Sequence, residues 1–282
     1  MTLKDHLQEY KRDGYTVFPG YLPPEQVREW RSRMDPEFEQ LFPKRPDAPR
    51  ARIVPLLGHE LLAPLAKVHV SNSLMLDFAE KVMGPYVQLD SFEVSGFPVR
   101  EQGLKGAIDR WHRDAFNNTE TWSTFNTMRE QSPRTYTPPL ACNCLTYLQD
   151  MNEETGPLRV IKGSHLDYTF IDKEDERKPH SRESLLDLKA GDMVFTHHEI
   201  LHSGTWNISK EIRYFLSVYV CRVGFPHRDT FDLTAIHELM SDARERHDRR
   251  LLRLFGEDDQ FMVRLEESWK RMVGEDRSAI TE

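Results

Sequence analysis

The spacing of apolar residues changes partway along the chain. Near the start, Leu3, Leu7 and Tyr10 recur at helical intervals, Thr2 and Asp5 are spaced to cap each other, and Gly14 can end the helix. "YTVFPGYL" predicts a short strand and turn, and Val27, Trp30 and Met34 in "LPPEQVREWRSRM" predict a second helix with proline at its start. The Pro- and Arg-rich "FPKRPDAPRARI" is expected to be a loop. "SNSLMLDFAEKVMG" predicts a third helix, with Asn72 or Ser73 as cap and Gly84 beyond its end. After this the texture becomes that of strands. "YVQLDSFEV", "LACNCLTYL", "LRVI", "DMVF" and "IRYFLSVYV" are short runs of β-branched and aromatic residues separated by Gly, Pro and charged turns.

Helices come first and strands later, without the regular alternation that builds a parallel α/β sheet, so a mainly β sandwich or barrel of antiparallel strands is expected. Two polar segments, 117–138 and 168–186, exceed ordinary hairpin connections and are expected to wall or cover a site. The tail from about 228 reads as helical. The expectation is one domain over 1–282, with helical decoration at 1–84 and 228–282.

Composition adjusts this picture little. An apolar fraction of 38% supports a sizeable core, and 30% charged residues a solvated surface. The net charge of −8, with basic residues scattered among acidic ones, argues against a nucleic-acid partner. No run is long and apolar enough to span a bilayer, and the charged start lacks a secretory core, so a cytoplasmic protein without membrane contact, monomeric or homodimeric, is expected. The two N-x-[ST] matches at Asn117 and Asn207 carry little weight in that setting. Cys142, Cys144 and Cys221 have no metal-site spacing and read as buried thiols.

The candidate chemistry begins at "AIDRWHRDAFNN". In an extended segment His112 and Asp114 face one side and Arg113 the other. An imidazole and a carboxylate so placed suit a metal, and two histidines with one carboxylate on one face is the arrangement of non-haem Fe(II) centres that leave positions open. The third ligand must come from later in the chain, and "GDMVFTHHEILHSG" offers His197, His198 and His202 without choosing among them.

"WHRD" at 111–114, "NEETGPLRVIKGSH" at 152–165, "GDMVFTHHEILHSG" at 191–204 and "NISKEIRYFLSVY" at 207–219 occur in order. Together with "YKRDGYTVFPGYLPPEQV", they resemble the phytanoyl-CoA dioxygenase (PhyH) family of Fe(II)- and 2-oxoglutarate-dependent oxygenases. The resemblance covers roughly residues 8 to 222. It implies a double-stranded β-helix, also called a jelly roll or cupin-like core, with N-terminal and peripheral helices. It further implies Fe(II), with 2-oxoglutarate and O2 as co-substrates, and His112, Asp114 and His202 as iron ligands. Arg213 matches the arginine that binds the distal carboxylate of 2-oxoglutarate, a task suited to a planar two-pronged donor. His165 is assigned structure.

Asn143 and Thr146 lie on a strand that faces cofactor or substrate in that family, and Ser217 shares the face of Arg213 if 213–219 is extended. The expected reaction is oxidation of a small molecule, foremost hydroxylation of an unactivated C–H bond with release of succinate and CO2. Desaturation, cyclisation or epoxidation in natural-product metabolism are its variants, and Asp114 argues against halogenation. Substrate contacts are expected from Gln88 and the 88–97 stretch, and from Trp122, Phe125, Met128 and Tyr136. Trp111 and Phe116 are further candidates, Trp111 equally as a core anchor. The competing readings are a cupin-like metal-holding protein without turnover and a zinc hydrolase.

Overall fold

The computed structural model describes residues 1–44, 48–114, 135–167, 169–222 and 233–257. Helix α1 (Leu3–Asp13) begins with Thr2 and Asp5 bonded reciprocally and ends on Gly14 in the left-handed conformation. In α2 (Pro24–Leu41) the apolar stripe Val27, Trp30, Met34 and Phe38 is buried. After α3 (Ala63–Val70), α4 (Ser73–Met83) starts with Asn72 accepting from the amides of Leu74 and Met75.

Among the described residues nine strands form two sheets. The larger contains β1 (Tyr15–Phe18), β2 (Ala51–Ile53), β3 (Val87–Phe97), β4 (Ala141–Tyr147), β7 (Met193–His197) and β9 (Arg213–Arg222), in the order β1-β7-β4-β9-β3-β2. The smaller contains β5 (Leu158–Ile161), β6 (Glu183–Leu186) and β8 (His202–Gly204), in the order β6-β5-β8. Every neighbouring pair is antiparallel. This is the double-stranded β-helix, or jelly roll, with helices packed outside it.

Period two divides the larger sheet into two faces. Cys142 and Cys144 of β4 and Tyr214, Leu216, Val218 and Val220 of β9 join one buried cluster with the helices. Helices α5 (Thr234–Glu245) and α6 (Arg249–Leu254) add Ile236, Leu239, Leu251 and Leu254 to that cluster. Phe38 lies so close to β3 that a Cβ on Gly96 would stand 2.4 Å from its ring, so α2 can dock there only over a glycine. The opposite face, toward the smaller sheet, is filled at one end by Leu145, Tyr147, Leu158, Val160, Leu186 and Val194. The rest of the space between the sheets is a cavity of about 220 Å³.

Two expectations change here. "ARI", expected in a loop, is edge strand β2, paired to β3 with Arg52 opposite Ser95. The 168–186 segment does not wall the cavity. Its described part forms turns and β6, and the carbonyls of Glu176 and Lys178 accept from the backbone and indole N–H groups of Trp111. Trp111 is accordingly a core anchor, clustered with Ile108, Ile161, Ile171 and Leu201. All three cysteines are buried and free. Residues 115–134, and the apolar stretch expected as a helix near 261–274, lie outside the described residues.

Candidate metal and co-substrate site

His112 and His202 come together because their backbones bond reciprocally: the His112 amide donates to the His202 carbonyl at 3.0 Å, and the return bond is 3.1 Å. Their ring centroids are 4.2 Å apart. Asp114 Oδ1 lies 3.7 Å from His112 Nε2 and 3.5 Å from His202 Nε2. One ligand atom from each of the three side chains lies within 4.8 Å of the others, the spacing of groups that can share one metal ion.

The other ring nitrogens fix the tautomers. His112 Nδ1 is 2.9 Å from the Arg110 carbonyl, and His202 Nδ1 is 3.1 Å from the Ile200 carbonyl. A carbonyl only accepts, so each Nδ1 carries the proton and each Nε2 presents its lone pair. Burial, and after it the adjacent His202 ring, pushes the His112 imidazole down to about 4, keeping it in the neutral form a metal requires. The carboxylate is oriented as well. Asn143 Nδ2 donates to Asp114 Oδ2 at 3.3 Å, and Asn143 Oδ1 accepts from Ser217 Oγ at 2.7 Å. Arg113 points the other way, donating to the carbonyls of Ser164, Glu199 and Thr169, so it ties the segment before His202 to the segment carrying His112.

Arg213 is 4% exposed. Its Nη1 donates to the carbonyls of Thr155 at 3.1 Å, Gly156 at 2.5 Å and Thr205 at 2.5 Å, and its guanidinium lies 4.2 Å from the Phe97 ring centre. Gly156 has φ +82°, and a Cβ there would stand 2.4 Å from the Thr205 carbonyl oxygen, so this cradle requires glycine. Burial lowers the guanidinium to about 10, which leaves it charged at neutral pH. Its Nε is buried without a hydrogen-bond partner, and among the described residues no carboxylate pairs with it. Arg213 lines the same cavity as the triad. A buried cation with an orphan donor fits the distal carboxylate of a dicarboxylic acid, and two imidazole nitrogens with one carboxylate oxygen fit Fe(II).

Several expected side chains lie elsewhere. Asn143 and Ser217 line the cavity, whereas Thr146 faces the helices, since it alternates with the cavity-lining Leu145 and Tyr147. Gln88 lies before an irregularity in the β3 register, its amide approaching Gly256, and is not in the cavity wall. Tyr136 is likewise absent from the cavity lining among the described residues, its ring packing 6.4 Å from His165 and from His197, under Lys11. Trp122, Phe125, Met128 and Phe116 lie outside the described residues. His197 and His198 stack on each other at 4.7 Å, apart from the triad, and His165 bonds the Lys11 carbonyl. Glu93, within the expected 88–97 stretch, and Tyr219, on the β9 face of Arg213, line the cavity, which also takes in Arg50, Arg52, Asp109 and Tyr147, residues with no signal of their own in the motifs. The alternation in "RARI" was the available signal for Arg50 and Arg52, hidden by the prolines around it.

A jelly roll with two histidines, one carboxylate and a buried arginine in one cavity defines the class of Fe(II)- and 2-oxoglutarate-dependent dioxygenases. The chain belongs to the phytanoyl-CoA dioxygenase (PhyH) family, which it matches over residues 10–215. It is similar to the dioxygenase FrzG of Cladobotryum sp, 22% identical over 83% of this chain and 79% of that protein. It is also similar to the ectoine dioxygenase of Bordetella parapertussis, 24% identical over 64% of this chain and 55% of that one. Among solved structures, HygX from Streptomyces hygroscopicus with nickel and 2-oxoglutarate bound aligns with a TM-score of 0.61 at 14% identity, covering 84% of this chain and 94% of that one. The epimerase SnoN, in complex with Fe3+, alpha ketoglutarate and nogalamycin RO, aligns with a TM-score of 0.54 at 20% identity, covering 78% and 83%. At these identities the structural likeness speaks to the fold. No helix among the described residues is long and apolar enough to cross a membrane.

Proposed function

We propose that the protein hydroxylates a C–H bond of a small molecule, with His112, Asp114 and His202 holding Fe(II) and Arg213 binding the distal carboxylate of 2-oxoglutarate. The observation that carries this reading is the pairing, within one cavity, of three convergent ligands with a buried guanidinium that lacks a carboxylate. Bound iron supplies the redox chemistry by which O2 oxidises 2-oxoglutarate to succinate and CO2 and oxidises the substrate. The chain's own residues do the rest. The two Nδ1–H groups hold the imidazoles in their ligating tautomer, Asn143 and Ser217 fix the carboxylate, and Arg213 sets the direction from which the co-substrate approaches.

A pure metal holder has no use for a buried arginine aimed into the same cavity, which disfavours the binding-protein reading. Asp114 occupies the carboxylate position, which favours hydroxylation over halide transfer. The small-molecule class is supported by relatives described as acting on or holding such compounds, ectoine, nogalamycin RO and hygromycin B among them.

The test is succinate formation from 2-oxoglutarate by the Fe(II)-loaded protein across a small-molecule library, followed by mass spectrometry. A product heavier by one oxygen is expected. A product of unchanged mass with an inverted centre would replace hydroxylation by epimerisation, chlorinated product in the presence of chloride would reject the reading of Asp114, and absence of O2-dependent succinate would reject turnover.

A further inference from the structure

Apart from Arg213, the cavity contains two further arginines. Arg50 immediately precedes β2 and Arg52 lies within it, so by strand alternation the two point the same way, and both line the cavity that holds the triad. The charges around them can be matched one by one. Arg52 pairs with Glu93, whose Oε1 also accepts from Ser95 Oγ at 3.2 Å. Asp109 pairs with Arg177 at 3.4 Å. Asp114 faces the two imidazole Nε2 atoms, and Arg213 is assigned to the co-substrate. What is left is Arg50, whose side chain makes no hydrogen bond or ion pair with any described residue.

Arg50 is close enough to the centre to feel it. Arg50 is an exposed residue, yet desolvation on the cavity side lowers its guanidinium, while Asp109 and Asp114 act on it in the opposite direction. An unmatched cation within electrostatic reach of the metal's carboxylate is a recognition element for the molecule that fills the remaining space. Among the described residues the surplus is one positive charge, which matches a monoanion better than a dianion, and the guanidinium fork matches the two oxygens of a carboxylate.

We propose that the substrate is a small organic acid whose carboxylate is bound by Arg50 at the β2 side of the cavity, with Arg52 held beside it by Glu93, and the carbon to be oxidised turned toward the triad. This deepens the dioxygenase reading and rests on it. It makes Arg50 a specificity-determining residue, distinct from the co-substrate's Arg213.

The experiment uses the full chain loaded with Fe(II) and 2-oxoglutarate and a panel of small carboxylic acids, each paired with its primary amide and its phosphonate analogue. Acids are expected to stimulate succinate formation above both partners. Arg50→Gln should raise the KM for the best acid about tenfold or more, the scale of one charge-assisted contact, with little change for its amide, and Arg50→Lys should restore part of the preference. Saturation-transfer NMR on the nickel-loaded protein with the same compounds reads binding without turnover. Acid binding that depends on Arg50 while no succinate forms would sink the dioxygenase reading and uphold the anion site. Equal binding of acids and amides, preference for the phosphonates, or acid binding unmoved in Arg50→Gln would overturn the proposal. So would a rise in the KM for 2-oxoglutarate larger than that for the acid.

Discussion

Asn143 holds Asp114 through a single hydrogen bond, Nδ2 to Oδ2 at 3.3 Å, and is itself fixed by Ser217 at 2.7 Å. The carboxylate therefore presents Oδ1 to the imidazoles because its other oxygen is tied from β4. Asn143→Leu should weaken Fe(II) binding by about 10- to 100-fold, the scale for losing a group that orients a metal ligand. Ser217→Ala should give a smaller loss in the same direction. Competition with a chromogenic chelator measures both, and unchanged affinity in Asn143→Leu would remove it from this role.

The three histidines of "THHEILH" are expected to separate under substitution. His202→Ala should abolish stoichiometric Fe(II) binding, while His198→Ala should leave the metal in place, because His198 stacks on His197 outside the triad. Metal analysis after desalting decides between them, and loss of iron in His198→Ala with retention in His202→Ala would invert the assignment.

Arg213→Ala should raise the KM for 2-oxoglutarate by more than tenfold, since removing one side of a buried charge pair costs about 2–5 kcal/mol. Gly156→Ala should act through the same side chain. Its Cβ would meet the Thr205 carbonyl at 2.4 Å and Arg213 Nη1 at 2.7 Å, so the KM should rise and the Tm fall together. Iron affinity measured alongside should change much less in both variants.

Much of this was written in the chain. The Thr2/Asp5 cap, the Asn72 cap and the stripe of α2 are local signals, decided by residues a few positions apart, and they appear in the structure as read. So does the alternation along β9, which sends Arg213, Phe215, Ser217 and Tyr219 into one cavity. Other features depend on partners distant in sequence. Strand β2 is three residues long and exists because β3 offers an edge, while β8 rests on β5. Thr146 was placed with its strand and not with its face. Gln88 sits opposite Cys221, one step beyond Ser91 and Tyr219, the last pair of β3 and β9 to line the cavity, and how far a cavity runs along a strand is not a local signal.

His69 supplies a prediction about acid stability. Its ring is stacked 5.3 Å from Phe92 and met edge-on by Tyr21 and Trp30, and neither nitrogen has a hydrogen-bond partner. Burial alone pushes it down from 6.5 to about 3. The unfolded chain then binds a proton that the folded chain refuses. The folded state is favoured fully above about pH 6.5 and loses up to about 1.4 kcal/mol per pH unit as pH falls toward 3. His69→Phe should flatten the fall of Tm across that window, as read by calorimetry. An identical pH profile in the variant would contradict the assignment.

The carbonyls gathered on Nη1 of Arg213 belong to the turn before β5 and the end of β8, in the smaller sheet, while the side chain grows from β9 in the larger one. One nitrogen thus seams the two halves of the sandwich, and the rest of the same guanidinium is left for a ligand. A residue at this position that accepted a different oxoacid would also unpick the seam, so the co-substrate site and the closure of the sandwich are tied to one side chain, a double duty that Arg50 on the β2 side does not carry.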